Sequence, residues 1–292
     1  MAVIDAAIAG RPLVRVRGAP PPDLGYVMAA AWARVRETPG YLTEREARFI
    51  MAAIALAPAD GANVEIGSFR GRSTVGLAYV ARHYDLGPVI AIDPHTCPSP
   101  TDPVLREQET TFDEFLANLE RAGVRDAVEP RRAYSCDVAR DWRDPIRFLW
   151  IDGDHSYEGA RADVRLFTPR LAPGAIVAMH DVLGTWEGTL RVFDQEVLAS
   201  PDFGPAGFSG SIAWAQYRPH AGRALTRRLQ HVALALPLRR LIPIAARGKA
   251  EFGQEKLIRL HGADKWAYKF WRTLIPHGLV DPPSLARALR LP

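Results

Sequence analysis

The stretch FLWIDGDHSYEG, residues 148–159, carries two carboxylates and an imidazole in close succession: Asp152, Asp154 and His155, with Gly153 between the acids. Carboxylates hold hard cations, and an imidazole exchanges a proton near neutral pH. A second such pair, His180-Asp181, closes the run AIVAMHD. If both runs are adjacent strands of an open parallel sheet, their ends lie side by side at the ligand-binding edge. Asp152, His180 and Asp181 then converge despite their separation, a set suited to an octahedral cation with open positions for substrate. A plainer reading stays open. Asp152, Gly153 and Asp154 could form a turn, with His155 and Ser156 capping the next helix, and His180-Asp181 could do the same after its strand.

A third cluster precedes them. NVEIGSFRGRST places Glu65, Gly67, Ser68, Gly71 and Ser73 where a strand turns into a helix. Glycines there let the backbone approach a ligand, and the helix start offers unpaired amides. The spacing E-x-G-x-x-x-G is not the G-x-G-x-x-G of dinucleotide enzymes. A carboxylate at this loop suits a ligand bearing an ammonium or sulfonium group, such as S-adenosylmethionine. Asp93, in the run PVIAIDPH, ends a second strand, where an acid can accept hydrogen bonds from both ribose hydroxyls; a turn or helix cap is its plainer role. Ser135 or Asp137 in AYSCDV is placed to meet an adenine amino group.

These residues need a scaffold, and the pattern predicts one. Apolar runs at NVEIG, PVIAID, FLWID and AIVAMHD alternate with helix-like segments STVGLAYVARHY, TFDEFLANLERAG and YEGARADVRLFTPRL. The alternation predicts an α/β fold, a doubly wound, mostly parallel Rossmann-like sheet with helices on both faces. The runs are apolar throughout, as strands buried on both sides should be. GFSGSIAWAQYRP reads as a hairpin closing one sheet edge. Thr43 and Glu46 have capping-box spacing and predict a helix start. The expected organisation is an N-terminal helical segment over 1–45, a binding domain over 46–219 and a basic helical extension over 220–292. In the extension, LTRRLQHVALAL predicts a helix stopped by Pro237.

Composition narrows the classes. The chain has 292 residues, 48% of them hydrophobic and 24% charged, which suits a soluble globular protein. No apolar run approaches the ~20 residues that span a bilayer. The N-terminal stretch has Asp5 in its apolar part and no basic segment before it, so no secretory leader is expected. Cys97 and Cys136 form no CxxC pair, which argues against structural zinc and fits a reducing cytoplasm. The net charge of +4 is uneven. After Pro219-His220 there are 14 Lys and Arg against 4 Asp and Glu, a balance of +10, so residues 1–220 carry −6. The basic tail has no recognisable base-reading motif, so no specific nucleic-acid partner is expected. Peripheral membrane contact through the tail, or packing as a cap or dimer arm in a homo-oligomer, stays open.

The sequence resembles the class I S-adenosylmethionine-dependent methyltransferases. The resemblance rests on Glu65-x-Gly67-x-x-x-Gly71, Asp93, and IDGDHSYEG followed by LAPGAIVAMHD. It covers roughly residues 40–218, and is most like the branch of sugar and antibiotic O-methyltransferases and cephalosporin-hydroxylase-like proteins. It implies that Glu65, Gly67, Ser68, Gly71, Ser73, Asp93, Ser135 and Asp137 bind S-adenosylmethionine. The catechol-type metal-dependent members have an acid matching Asp152 and an acid-amide pair matching His180 and Asp181. They also place a catalytic lysine three residues after the first acid, where this chain has His155. The resemblance thus implies Mg²⁺ or Mn²⁺ at Asp152 and Asp181, with His180 a departure from the family's acid. His155 would take the proton of a substrate hydroxyl, with Asp154 orienting a water or a ligand. The implied acceptor is a small molecule containing a sugar or polyol. Two alternatives remain: a metal-independent methyltransferase with His155 as sole base, and a non-catalytic nucleoside-binding protein that works through its basic tail.

Overall fold

A computed structural model of the chain describes residues 20–96, 110–183, 186–220 and 225–246. Strands β1 (Ala62–Ile66), β2 (Val89–Ile92), β3 (Val128–Arg131), β4 (Ile146–Ile151), β5 (Leu171–Met179), β6 (Phe203–Ser209) and β7 (Ile212–Tyr217) form one seven-stranded sheet. Its order is β3-β2-β1-β4-β5-β7-β6. The first five strands run parallel, and the β6–β7 hairpin adds antiparallel to β5, as the sequence predicts. The order reverses at β1, and ligands bind at such a switch point.

Helices cover both faces. They are α1 (Leu24–Val35), α2 (Glu44–Leu56), α3 (Arg72–His83), α4 (Phe112–Ala122), α5 (Ser135–Asp141), α6 (Tyr157–Phe167), α7 (Glu187–Val192) and α8 (Leu225–Ala246). Side chains alternate across a strand, so β4 feeds two cores. Phe148 and Trp150 pack with Phe49, Met51, Leu77 and Phe115 on the α1–α4 face. Leu149 and Ile151 pack with Val164, Phe167, Phe193 and Leu238 on the other.

Register positions the chemistry. Ile66 pairs with Ile92 on one side and Ile151 on the other, and Ile151 pairs with Met179. Four strands therefore end level, and the next residues, Asp93, Gly67, Asp152 and His180, line one edge. Helix α2 is tied to this frame at both ends. Thr43 and Glu46 form the expected capping box. At the other end the buried Arg147 donates to the carbonyls of Ile54, Ala57 and Ala59, acceptors left over as the helix ends.

Two expectations change. β5 begins at Leu171, well before AIVAMHD, and the register shift between Ile146 and Phe148 absorbs the Pro173-Gly174 kink. Helix α8 continues through Pro237 and Pro243 to Ala246. Proline removes a helical donor, at about 3 kcal/mol, but Leu234, Leu238 and Leu241 are buried against the sheet's second core, and that packing overrides it. The remainder of the basic extension lies outside the described residues.

Candidate active site

The loop after β1 is built by close approach. Gly67 has φ +83°, and a Cβ there would sit 2.2 Å from the Asp152 carbonyl oxygen. Only glycine lets the two loops touch. Phe69, also left-handed at φ +48°, and Gly71 at φ +89° complete the turn into α3. Asp93 holds this turn: its Oδ2 accepts the amides of Ser68 and Phe69 at 2.9 and 2.8 Å, and its Oδ1 accepts that of His95 at 2.6 Å. An ionised carboxylate has about four acceptor positions, so capacity remains for a ribose hydroxyl. The Ser68 hydroxyl is buried without a hydrogen-bond partner.

Glu65 lies beneath the loop, fully buried, with Oε1 accepting from Ser73 at 2.5 Å and Oε2 from Thr74 at 2.6 Å. Burial pushes its carboxyl up to about 8, against the pull of those two hydroxyls and with the help of Asp152 and Asp93. Glu65 thus joins β1 to the first turn of α3, and Ser73 is engaged in that bond. Ser135 donates to the buried Asp163 at 2.5 Å, and Asp137 pairs with Arg140 at 2.9 Å. The structure gives both of these residues protein partners.

Asp152, His155, His180 and Asp181 do meet. His180 Nδ1 lies 3.0 Å from Asp152 Oδ1 and 3.9 Å from Asp181 Oδ2. His155 Nε2 lies 3.5 Å from the same Asp152 oxygen and 3.9 Å from the same Asp181 oxygen. Both ring nitrogens of His155 are buried without a hydrogen-bond partner, and its ring lies 5.3 Å from that of Trp186. Asp181 has φ +51°, a strained conformation for a non-glycine residue and one that clusters at functional sites. Asp154 turns away to Ser156, accepting from its amide at 2.8 Å and its hydroxyl at 3.0 Å. Ser156 in turn caps α6 through the Gly159 amide. The turn-and-cap reading is therefore right for Asp154 and Ser156, while Asp152 and His155 face the cluster.

Sequence reasoning overlooked one member. Glu46 Oε2 lies 3.7 Å from His180 Nε2, too long for a hydrogen bond but within ion-pair range. Burial lowers the affinity of His180 for a proton, but the charges of Asp152 and Asp181, with the contacts to Asp152 and Glu46, outweigh it and raise the ring's pKa well above its ordinary value. Burial likewise opposes ionisation of Asp152, yet His180 and His155 hold its carboxyl below the usual range. His180 sits between Asp152 and Glu46, whose negative charge favours its protonated form, and a protonated ring has no lone pair to offer a cation.

Two carboxylates of the cluster remain as oxygen donors. Asp152 and Asp181 present oxygens to the same two imidazoles, and one imidazolium faces three carboxylates, which leaves negative charge over. Among the described residues no three His, Cys, Asp or Glu side chains are arranged to hold a metal ion. Mg²⁺ usually takes only one or two carboxylates and completes its octahedron with water and substrate.

The chain is similar to known proteins in sequence and in fold. Residues 64–182 match a family described as Methyltransferase domain. The chain is similar to the O-methyltransferase NovP at TM-score 0.54 and 14% identity, over 67% of this chain and 98% of that one. It is also similar, at TM-score 0.47 and 18% identity, to an O-methyltransferase from Bacillus cereus in complex with S-adenosylhomocysteine, over 75% of this chain and 98% of that one. The O-methyltransferase TomG from Streptomyces achromogenes gives TM-score 0.45 and 16% identity, over 68% of this chain and 90% of that one. The matched segment runs from β1 through Asp181, and so contains the glycine loop, Asp93, Asp152, His155 and His180. Residues 64–182 thus carry a methyltransferase domain.

Proposed function

We propose that the chain transfers a methyl group from S-adenosylmethionine to a hydroxyl oxygen of a small sugar- or polyol-like acceptor, with His155 as general base. The observation that carries this is the His155 imidazole, whose two nitrogens are buried without a hydrogen bond, within ion-pair range of two converging carboxylates at the level strand ends. An unpartnered buried donor or acceptor costs about 1–3 kcal/mol, and an acceptor hydroxyl would relieve it.

Asp93, Ser68 and the backbone of the glycine loop would hold the nucleoside. The bound cofactor supplies an electrophilic methyl on its sulfonium, which departs as S-adenosylhomocysteine. Asp152 and Asp181 would hold Mg²⁺ or Mn²⁺, which would supply positive charge to lower the pKa of an acceptor hydroxyl. His155 takes the proton from that hydroxyl as its oxygen forms the new bond to carbon. Trp186 flanks the ring and limits its tilt. Asp152 holds the developing charge on His155 as it protonates. The two carboxylates favour an acceptor with adjacent oxygens, which is what a sugar or glycoside offers.

Incubating the protein with S-adenosylmethionine and a panel of glycosides and polyols should release S-adenosylhomocysteine with at least one acceptor. EDTA should suppress that release, with Mg²⁺ or Mn²⁺ restoring it, while cofactor affinity by calorimetry stays unchanged. Undiminished turnover after exhaustive chelation would remove the cation and leave His155 acting alone. Cofactor binding without transfer to any acceptor would favour a binding protein.

A further inference from the structure

Glu46 lies on α2, outside the matched segment 64–182, and is 2% exposed. Its capping box accounts for two contacts, Thr43 amide to Oε2 at 3.1 Å and Thr43 hydroxyl to Oε2 at 2.6 Å. It does not account for the rest. Oε1 accepts both the amide and the hydroxyl of Ser211, at 3.0 and 2.6 Å, from the turn between β6 and β7. Four donors on two elements therefore fix a carboxylate whose Oε2 faces His180 Nε2 at 3.7 Å. Across the ring, Nδ1 faces Asp152 Oδ1 at 3.0 Å, and the ring face lies against Trp150.

We propose that Glu46 is a positioning residue for methyl transfer: it holds the His180 ring so that Nδ1–H points at Asp152, and so keeps the Asp152 carboxylate turned toward His155. An imidazole on β5's end can rotate about its Cβ–Cγ bond, and a carboxylate facing each nitrogen selects one orientation. Asp152 Oδ1 is shared between His180 Nδ1 and His155 Nε2, so a ring that turns away frees that oxygen to rotate from His155. Glu46 itself cannot follow, because Ser211 and Thr43 hold both of its oxygens. The N-terminal helix thereby becomes part of the machinery that the methyltransferase domain alone does not complete. This rests on the proposed reading of the Asp152 cluster as the acceptor site.

The test compares Glu46→Gln with Glu44→Gln, which removes an exposed acid from the same helix turn. Glu46→Gln should lower kcat by about 10–100-fold, the usual cost of losing a partner that orients an imidazole. Its affinity for S-adenosylmethionine should stay unchanged, and the proton signal of His180 Nδ1–H in ¹⁵N-labelled full-length protein should move. Glu44→Gln should match wild type in all three. Ser211→Ala keeps the capping box and removes one anchor, so it should shift the same signal with a smaller loss of kcat, should Glu46→Gln fail to fold. Wild-type kcat with an unmoved His180 signal in either folded variant overturns the inference. Wild-type protein that binds cofactor but methylates nothing overturns the functional reading and this role with it; an active wild type beside an indifferent Glu46→Gln overturns the inference alone.

Discussion

At the scale of residues, the cluster is a set of ionisable groups that set one another's charge, and Glu65 shows how far burial can push one. Its carboxyl, with a folded value of about 8 against an ordinary 4.5, binds its proton more tightly in the native state than in the unfolded chain. The stabilising contribution is therefore full below pH 4.5 and is lost as pH rises through 8. Between those limits wild-type stability should fall relative to Glu65→Gln with a slope approaching one proton, ~1.4 kcal/mol per pH unit. Urea unfolding of both proteins across that range measures it, and parallel pH profiles would show that Glu65 is ionised in the fold. The sequence marks Glu65 as important but cannot show its depth, because Ser73 and Thr74 look like loop hydroxyls until α3 turns them back over β1. The meeting of Asp152, His180 and Asp181 at neighbouring strand ends was legible from type and position alone. Glu46 was not: its capping-box spacing with Thr43 offered a complete local explanation, and its contacts to Ser211 and His180 arise only from tertiary packing.

At the scale of elements, function depends on strands ending level and loops touching. Gly67 is where that closeness is most exposed to substitution. Gly87 serves as its control, since it has φ +81° but nothing within 4 Å of an added Cβ. Gly87→Ala should cost only the backbone term, about 1–2 kcal/mol. Gly67→Ala should cost clearly more, because the new methyl meets backbone at Asp152 and Gly153, and should also displace Asp152 and abolish methyl transfer. Equal stability losses in chemical denaturation would mean that the two loops can separate freely. The glycine spacing, the strand runs, the edge hairpin and the Thr43 cap were readable because each is a local pattern with one dominant physical cause. The passage of α8 through Pro237 was not, since local propensity opposes it and only contacts with distant strands outweigh that.

At the scale of the molecule, the two cores divide the work. The face packed by α1–α4 carries the N-terminal helix that supplies Glu46, and the other packs α6 and α7 beneath His155. Gly188 at the start of α7 sits so near the His155 carbonyl that a Cβ there would lie 2.4 Å from it. His155 is thus clamped between α7 and the end of β4 by backbone as well as by Trp186. Charge is divided too. The first 220 residues are net acidic, whereas the basic excess lies in the extension, with four arginines and no acid on α8 itself. No described helix is long and apolar enough to cross a membrane. Methyl transfer itself turns on the imidazole at the level strand ends, under the proposed function. The direct measurement is the methyl-transfer rate of His155→Ala, normalised to cofactor-binding-competent molecules, against wild type with the same acceptor. A drop of roughly 10²–10⁴-fold, the usual contribution of a placed base, with unchanged affinity for S-adenosylmethionine, is the predicted result. Near-wild-type turnover on that scale would contradict the account and reduce His155 to a packing residue beside Trp186.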